Sequence, residues 1–189
     1  MRIGILGGTF NPIHNGHLHV ARQALKKLCL DKVVFVPAKI PPHKKICGFA
    51  TIEDRLRMLR LAICGEKRFA ISLYEIRQWG KSYSIRTVRY LRKRYGKGAT
   101  LFFLLGADSI GGLKKWRDIE SLSELVEFVV FTRPGFAIDG GFPKVLRVDI
   151  PGKDVSSTRI RRLAGKGGHL GRLVPKKVKA YIENAGLYK

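Results

Sequence analysis

The chain has 189 residues, 45% of them hydrophobic, enough for a single domain with its own core and no need of disulfides. Its 37 Lys and Arg against 14 Asp and Glu give a net charge of +23, a field that draws nucleotides, nucleic acid or an anionic surface. No apolar run reaches the length of a membrane span and the N-terminus lacks a signal-peptide layout, so the expectation is a cytoplasmic protein with no membrane contact.

The first predicted element is a short buried strand over Ile3–Leu6, followed by the turn Gly7-Gly8-Thr9-Phe10-Asn11-Pro12-Ile13-His14-Asn15-Gly16-His17. A helix over Gly16–Leu28 follows, read from apolar residues at helical spacing. Glycines let backbone N–H groups approach an anion, and a helix start adds unpaired N–H groups and the positive end of its dipole. His14 and His17 are three apart and so share one side of a helical turn, as two N–H donors facing an oxyanion would. Metal ligation and a purely structural turn remain open at this point. Cys29, Cys47 and Cys64 are odd in number and lack CxxC spacing, so they read as reduced structural thiols, small hydrophobes on or beside helices.

A second strand, Val33–Pro37, runs into Pro37-Ala38-Lys39-Ile40-Pro41-Pro42-His43-Lys44-Lys45. The prolines stiffen this loop, and His43 and Lys44 suit a phosphate monoester or a solvated basic surface. A helix over Ile52–Cys64 and a strand over Phe69–Leu73 lead to Glu75-Ile76-Arg77-Gln78-Trp79-Gly80-Lys81-Ser82-Tyr83-Ser84. There Ser84 is read as the N-cap of a helix over Ser84–Tyr95, whose free N–H groups suit a carboxylate or a phosphate.

The fourth strand, Thr100–Leu105, ends in Gly106-Ala107-Asp108-Ser109, with Trp116 on a broken helical stretch from Ser109 to Leu125. Asp108 reads as a ribose ligand or a helix cap, and Trp116 as a stacking platform or a core residue. The fifth strand, Glu127–Phe131, closes on Arg133-Pro134-Gly135, and a sixth spans Val145–Ile150. Helices over Ser156–Ala164 and Lys176–Asn184 finish the chain. The first of them opens with Val155-Ser156-Ser157-Thr158-Arg159-Ile160-Arg161-Arg162, hydroxyls and arginines in place of the acids usual in a first turn. A bound polyanion would offset that local repulsion, and an RNA-facing helix is the competing explanation.

Strands alternating with helices predict an α/β fold, a Rossmann-like doubly wound parallel sheet with helices on both faces. In such sheets ligands lie beyond the carboxyl ends of the strands. The expected organisation is one domain over residues 1–189, with the helical part from about 155 to 189 supplying a second phosphate site.

At this point the chain resembles the nicotinate-nucleotide adenylyltransferases within the HxGH nucleotidyltransferase superfamily. Gly7–His17 is similar to GGTF(D/N)PxHxGH, Pro37–Lys44 to PxxxPPHK and Gly80–Thr87 to GxSYTxDT. Gly106–Trp116 looks like GADS…W, and Val155–Arg161 like (I/V)SSTxIR. The resemblance implies transfer of AMP from ATP to nicotinate mononucleotide in NAD biosynthesis, with Mg²⁺ arriving with the ATP. It assigns ATP to Gly8, Thr9, Phe10, His14, Gly16, His17, Ser157, Thr158 and Arg161, of which His14, His17 and Arg161 carry the chemistry. It assigns the mononucleotide to His43, Lys44, Tyr83, Ser84, Asp108, Trp116 and Arg133. No residue is assigned to a metal.

The sequence departs from the family pattern at Asn11 for Asp, Ser84 for Thr, and Arg86 where Asp is usual. The last removes an acid–dipole attraction of about 0.3–1 kcal/mol from a first helical turn. A sibling transferase acting on nicotinamide mononucleotide or phosphopantetheine is the near alternative, and a basic RNA-binding protein the remote one. No RNA-recognition motif and no alternation of aromatic with basic residues supports the latter.

Overall fold

The computed structural model describes residues 1–42, 50–132, 145–150 and 155–189. Six strands form one parallel sheet: β1 (Arg2–Gly8), β2 (Lys32–Pro37), β3 (Phe69–Ile71), β4 (Thr100–Gly106), β5 (Glu127–Thr132) and β6 (Val145–Asp149), in the order β3-β2-β1-β4-β5-β6. The order reverses between β1 and β4, which is where a doubly wound sheet leaves a crevice at its carboxyl edge.

The helices are α1 (Asn15–Lys27), α2 (Ile52–Ile63), α3 (Tyr74–Arg77), α4 (Ser84–Tyr95), α5 (Ile119–Leu125), α6 (Ser157–Gly165) and α7 (Lys176–Asn184). Side chains of β4 alternate between the two faces of the sheet, as the period of a strand requires. Phe102 and Leu104 join a core with α1, α2, α6 and α7, whereas Leu101, Phe103 and Leu105 join one with α4 and α5. Both faces are therefore covered, as expected.

The third strand is shorter than its apolar run suggests. Ser72 N–H bonds to the Phe35 carbonyl, and the chain then turns into α3, a one-turn helix that the periodicity did not reveal. The broken stretch after β4 is a 3-10 helix over Ala107–Lys115 and then α5, divided at Asp118, whose φ of 55° is left-handed. Cys29 and Cys64 are free thiols beside helix ends, but both are exposed and not packed as small hydrophobes. Cys47 lies outside the described residues.

Candidate active site

Two clusters flank the switch point. The first is built on the turn between β1 and α1. His14 does not stand on a helical turn with His17 as expected but is the N-cap of the helix, in extended backbone (φ −146°, ψ 171°). The two histidines cap the helix reciprocally: His17 N–H donates to His14 Nδ1 at 3.4 Å and His14 N–H to His17 Nδ1 at 3.2 Å. Their rings stack with centroids 3.6 Å apart. Phe10, at a left-handed φ of 49°, folds under the turn and meets His17 edge-on at 5.1 Å.

This geometry fixes both tautomers. A neutral imidazole whose Nδ1 accepts carries its proton on Nε2. Burial lowers the His14 pKa from 6.5 to about 4. Burial, and secondarily the neighbouring His14, holds His17 well below its ordinary value. The pair is thus neutral at physiological pH and offers two Nε2–H donors, a dipolar rather than a cationic device.

Helix α6 docks on the same turn. Ser156 caps it by accepting from Arg159 N–H. Ser157 Oγ donates to the Pro12 carbonyl at 3.0 Å, so its single hydroxyl proton is engaged and its backbone N–H is the group left at the helix start. Arg161 Nη1 donates to the Asn11 carbonyl at 2.8 Å and Nη2 to Thr158 Oγ1 at 3.2 Å. A Cβ on Gly16 would stand 3.0 Å from His14 Nδ1 and 3.6 Å from Val155 O, so a side chain there would press on the His14 ring.

The second cluster lines a cavity of about 550 Å³ beyond the carboxyl ends of β1, β2 and β4. Gly8, Thr9, Tyr83, Ser84 and Trp116 all reach it. Trp116 is half-buried, edge-on to Phe103 at 5.4 Å, so it packs against the core and lines the cavity at once. Ser84 is not the N-cap of α4; Tyr83 holds that place and no side chain caps the helix. The preceding hydroxyl, Ser82 Oγ, accepts instead from Lys39 N–H at 3.0 Å, and the start of α4 faces the cavity with its N–H groups uncapped. Arg86 leaves the first turn without an acid and swings its guanidinium over the Tyr83 ring, 5.7 Å from the centroid.

Residues 5–163 match the cytidylyltransferase-like family. The chain is 42% identical over 188 residues to the nicotinate-nucleotide adenylyltransferase of Bacillus subtilis strain 168, covering 100% of this chain and 98% of that protein. The chain belongs to the nicotinate-nucleotide adenylyltransferase family. Its fold is also that of two solved structures of Plasmodium falciparum nicotinic acid mononucleotide adenylyltransferase, each 21% identical. The one complexed with NaAD has a TM-score of 0.80 and covers 99% of this chain and 97% of that chain. The one complexed with APC scores 0.78, covering 99% and 96%.

Within this family frame, Gly8 and Thr9 connect the two clusters, since they belong to the histidine turn and also line the cavity. His14, Gly16, His17, Ser157, Thr158 and Arg161 gather on the turn side. Tyr83, Ser84 and Trp116 gather on the cavity side. Asp108 stands second in the 3-10 helix, whose N-cap is Gly106, so it is not the cap that one reading of it required. Its side chain, and His43, Lys44 and Arg133 altogether, lie outside the described residues.

Two residues at the site were not singled out from the sequence. Glu75 is the acid among the described residues lining the cavity; Thr87 Oγ1 donates to it at 2.6 Å, and burial raises its pKa. Arg55 is buried behind the cavity wall. Its signal was available: in α2 it falls on the buried stripe with Met58 and Leu59, an unusual place for a guanidinium.

Proposed function

We propose that the protein transfers the adenylyl group of ATP to the 5′-phosphate of nicotinate mononucleotide, giving deamido-NAD and pyrophosphate. The observation that carries this reading is the junction at Gly8–Thr9. A neutral two-histidine donor pair and the α6 helix start lie on one side of it. An uncapped helix start and a half-exposed tryptophan lie on the other.

In this reading the pyridine ring stacks on Trp116 and its carboxylate takes the first N–H groups of α4 near Tyr83 and Ser84. ATP lies along Gly8 and Thr9, with Phe10 buried beneath the turn as its support and not as a contact surface, and its phosphates lie between the histidines and α6. The mononucleotide phosphate oxygen attacks the α-phosphorus in line; the new P–O bond forms as the bond to pyrophosphate breaks. That nucleophile is already ionised, so no general base is needed, and the residues act by positioning and charge stabilisation. His17 Nε2–H is assigned to the α-phosphate, with His14 beside it. Arg161, Thr158 and the Ser157 N–H take the departing pyrophosphate. Asp108 is assigned to ribose, and His43, Lys44 and Arg133 to the mononucleotide phosphate. The chain works as one unit over residues 1–189.

Mg²⁺ would enter with the triphosphate and draw charge from its oxygens. Among the described residues no group of three or more His, Cys, Asp or Glu could hold the ion. The phosphate side presents neutral imidazoles and a guanidinium, so the nucleotide's own oxygens and water are its proper ligands. No helix among the described residues is long and apolar enough to cross a membrane, which fits soluble substrates.

Glu75 favours a second reading, use of nicotinamide mononucleotide, because a carboxylate lining the cavity could accept from an amide NH₂. One assay separates them: pyrophosphate release with ATP and either mononucleotide. A rate with the nicotinate form at least about tenfold above the amide form supports the assignment. Release with neither, alongside salt-sensitive RNA binding, would replace it with a nucleic-acid role.

A further inference from the structure

Arg55 is 2% exposed, and its Nη1 donates to two backbone carbonyls, Thr9 at 2.8 Å and Ala38 at 2.7 Å. Thr9 follows β1 and Ala38 follows β2, and both line the cavity. Among the described residues no carboxylate lies within ion-pair distance of Arg55, and its Nε has no hydrogen-bond partner. Glu53 and Tyr188 act on the guanidinium from beyond contact and offset only part of the cost of its burial, so a role in packing alone is a poor reason to keep a buried cation there.

Resting on the substrate assignment above, we infer that Arg55 is a positioning residue whose charge, only partly offset within the fold, underlies the meeting point of the two nucleotide anions. Two physical consequences follow from its bonds. The Thr9 and Ala38 carbonyl oxygens accept from Arg55, so part of the partial negative charge that both loops bring to the cavity wall is offset by the guanidinium. The cation itself sits in low-dielectric interior behind that wall, where its field on an anion is screened far less than that of a surface lysine. Burial lowers the Arg55 pKa, but from a starting value so high that the group stays charged. The field therefore grows in importance as two mutually repelling phosphates approach and charge builds on the leaving group.

Two substitutions separate the charge from the hydrogen bonds. Arg55→Gln keeps an N–H donor and loses the cation; Arg55→Lys keeps the cation with a single compact donor group. Folding is followed by thermal melting, catalysis by pyrophosphate release, and binding by the competitive inhibition constants of AMP and adenosine. Folded Arg55→Gln is expected to lose about 30-fold or more in kcat and about tenfold in AMP affinity, with adenosine affinity unchanged within about twofold. Arg55→Lys is expected to recover kcat to within about fivefold of wild type.

Equal losses for AMP and adenosine, or Arg55→Lys no better than Arg55→Gln, would overturn the inference and leave a plain loop clamp. Should Arg55→Gln not fold, Arg55→Lys decides alone, since AMP affinity more than about tenfold below wild type would exclude charge as the operative feature. The inhibition constants need no turnover. A wrong acceptor would show instead as wild-type enzyme that binds AMP yet releases no pyrophosphate.

Discussion

Arg161 Nη1 donates to the carbonyl of Asn11 across 2.8 Å, joining residues 150 positions apart in the chain. That bond holds the start of α6 against the turn that carries His14 and His17, so neither element of the proposed phosphate site is placed without the other. The fork's second nitrogen reaches Thr158 Oγ1. A lysine keeps the charge but cannot span both acceptors. Arg161→Lys is expected to lower kcat/KM for ATP about tenfold and Arg161→Ala about 100-fold, measured by initial rates at varied ATP. Full activity in the lysine variant would show that charge alone suffices there.

His17 has a structural and a chemical end. Its Nδ1 accepts from the His14 N–H and completes the helix cap, while its Nε2–H is the donor proposed for the α-phosphate. Removing the ring should cost about 1 kcal/mol through the cap and about 10²-fold in kcat. His17→Asn offers an acceptor to the same backbone N–H but no donor at the distance of Nε2. It should restore the melting temperature of His17→Ala without restoring turnover. Recovery of both together would remove His17 from the chemistry.

The neutral histidines also set a pH dependence. Unfolded His14 titrates at its ordinary 6.5, whereas in the fold burial holds it to about 4. Between those values the unfolded chain binds a proton that the folded chain refuses. Stability is therefore complete above about pH 6.5 and falls as pH drops toward 4, by about 3 kcal/mol for this one group. His17 is shifted in the same direction and deepens the loss. Melting temperatures at pH 7 and pH 5 should differ in wild type and differ less in His14→Asn. Equal melting at the two pH values in wild type would mean that the stacked rings accept protons freely.

Gly8 gives a steric test of the junction. A Cβ there would lie 2.9 Å from Phe10 Cε1 and 3.1 Å from its Cζ. Phe10 is 1% exposed and edge-on to His17, so it cannot yield without moving the imidazole. Gly8→Ala is expected to lower kcat about tenfold or more with a smaller effect on the KM of either nucleotide, since the misplaced group is the proposed transition-state donor. A rise in the KM of ATP alone, with kcat intact, would put the constraint at ATP entry and not at His17.

Much of this architecture is legible in the sequence because it is local. The six apolar runs, the glycine turn and the SST helix start each declare themselves within a dozen residues, and the alternation of strand and helix makes the sheet parallel. What escaped depends on partners distant in the chain. Ser84 looks like a cap, but the hydroxyl before it is drawn to Lys39 and the helix opens uncapped. Two histidines three apart suggest a shared helical face, whereas the first is the cap itself. Glu75 gains its meaning only from the cavity that four separate segments line, and Arg55 from the two loop carbonyls it binds.

Glu75 carries the sharpest question about acceptor choice. Its carboxyl accepts from Thr87 Oγ1 and lines the same cavity as the start of α4, with Lys115 and Arg117 among the cations also lining it. Burial raises its pKa above the ordinary 4.5. Its folded form therefore favours the proton, and the stability it contributes below pH 4.5 is lost as pH rises through the raised value. Glu75→Gln keeps an oxygen for Thr87 and removes the titration, so its melting temperature relative to wild type should be higher at pH 8 than at pH 5. The charge also opposes a nicotinate carboxylate and welcomes an amide NH₂. Glutamine should then shift the ratio of kcat/KM for the nicotinate over the nicotinamide mononucleotide upward by about fivefold at pH 8. A downward shift would mean that the carboxyl assists the acid substrate by holding the Ser82–Thr87 turn in shape, and that the amide contact is not made.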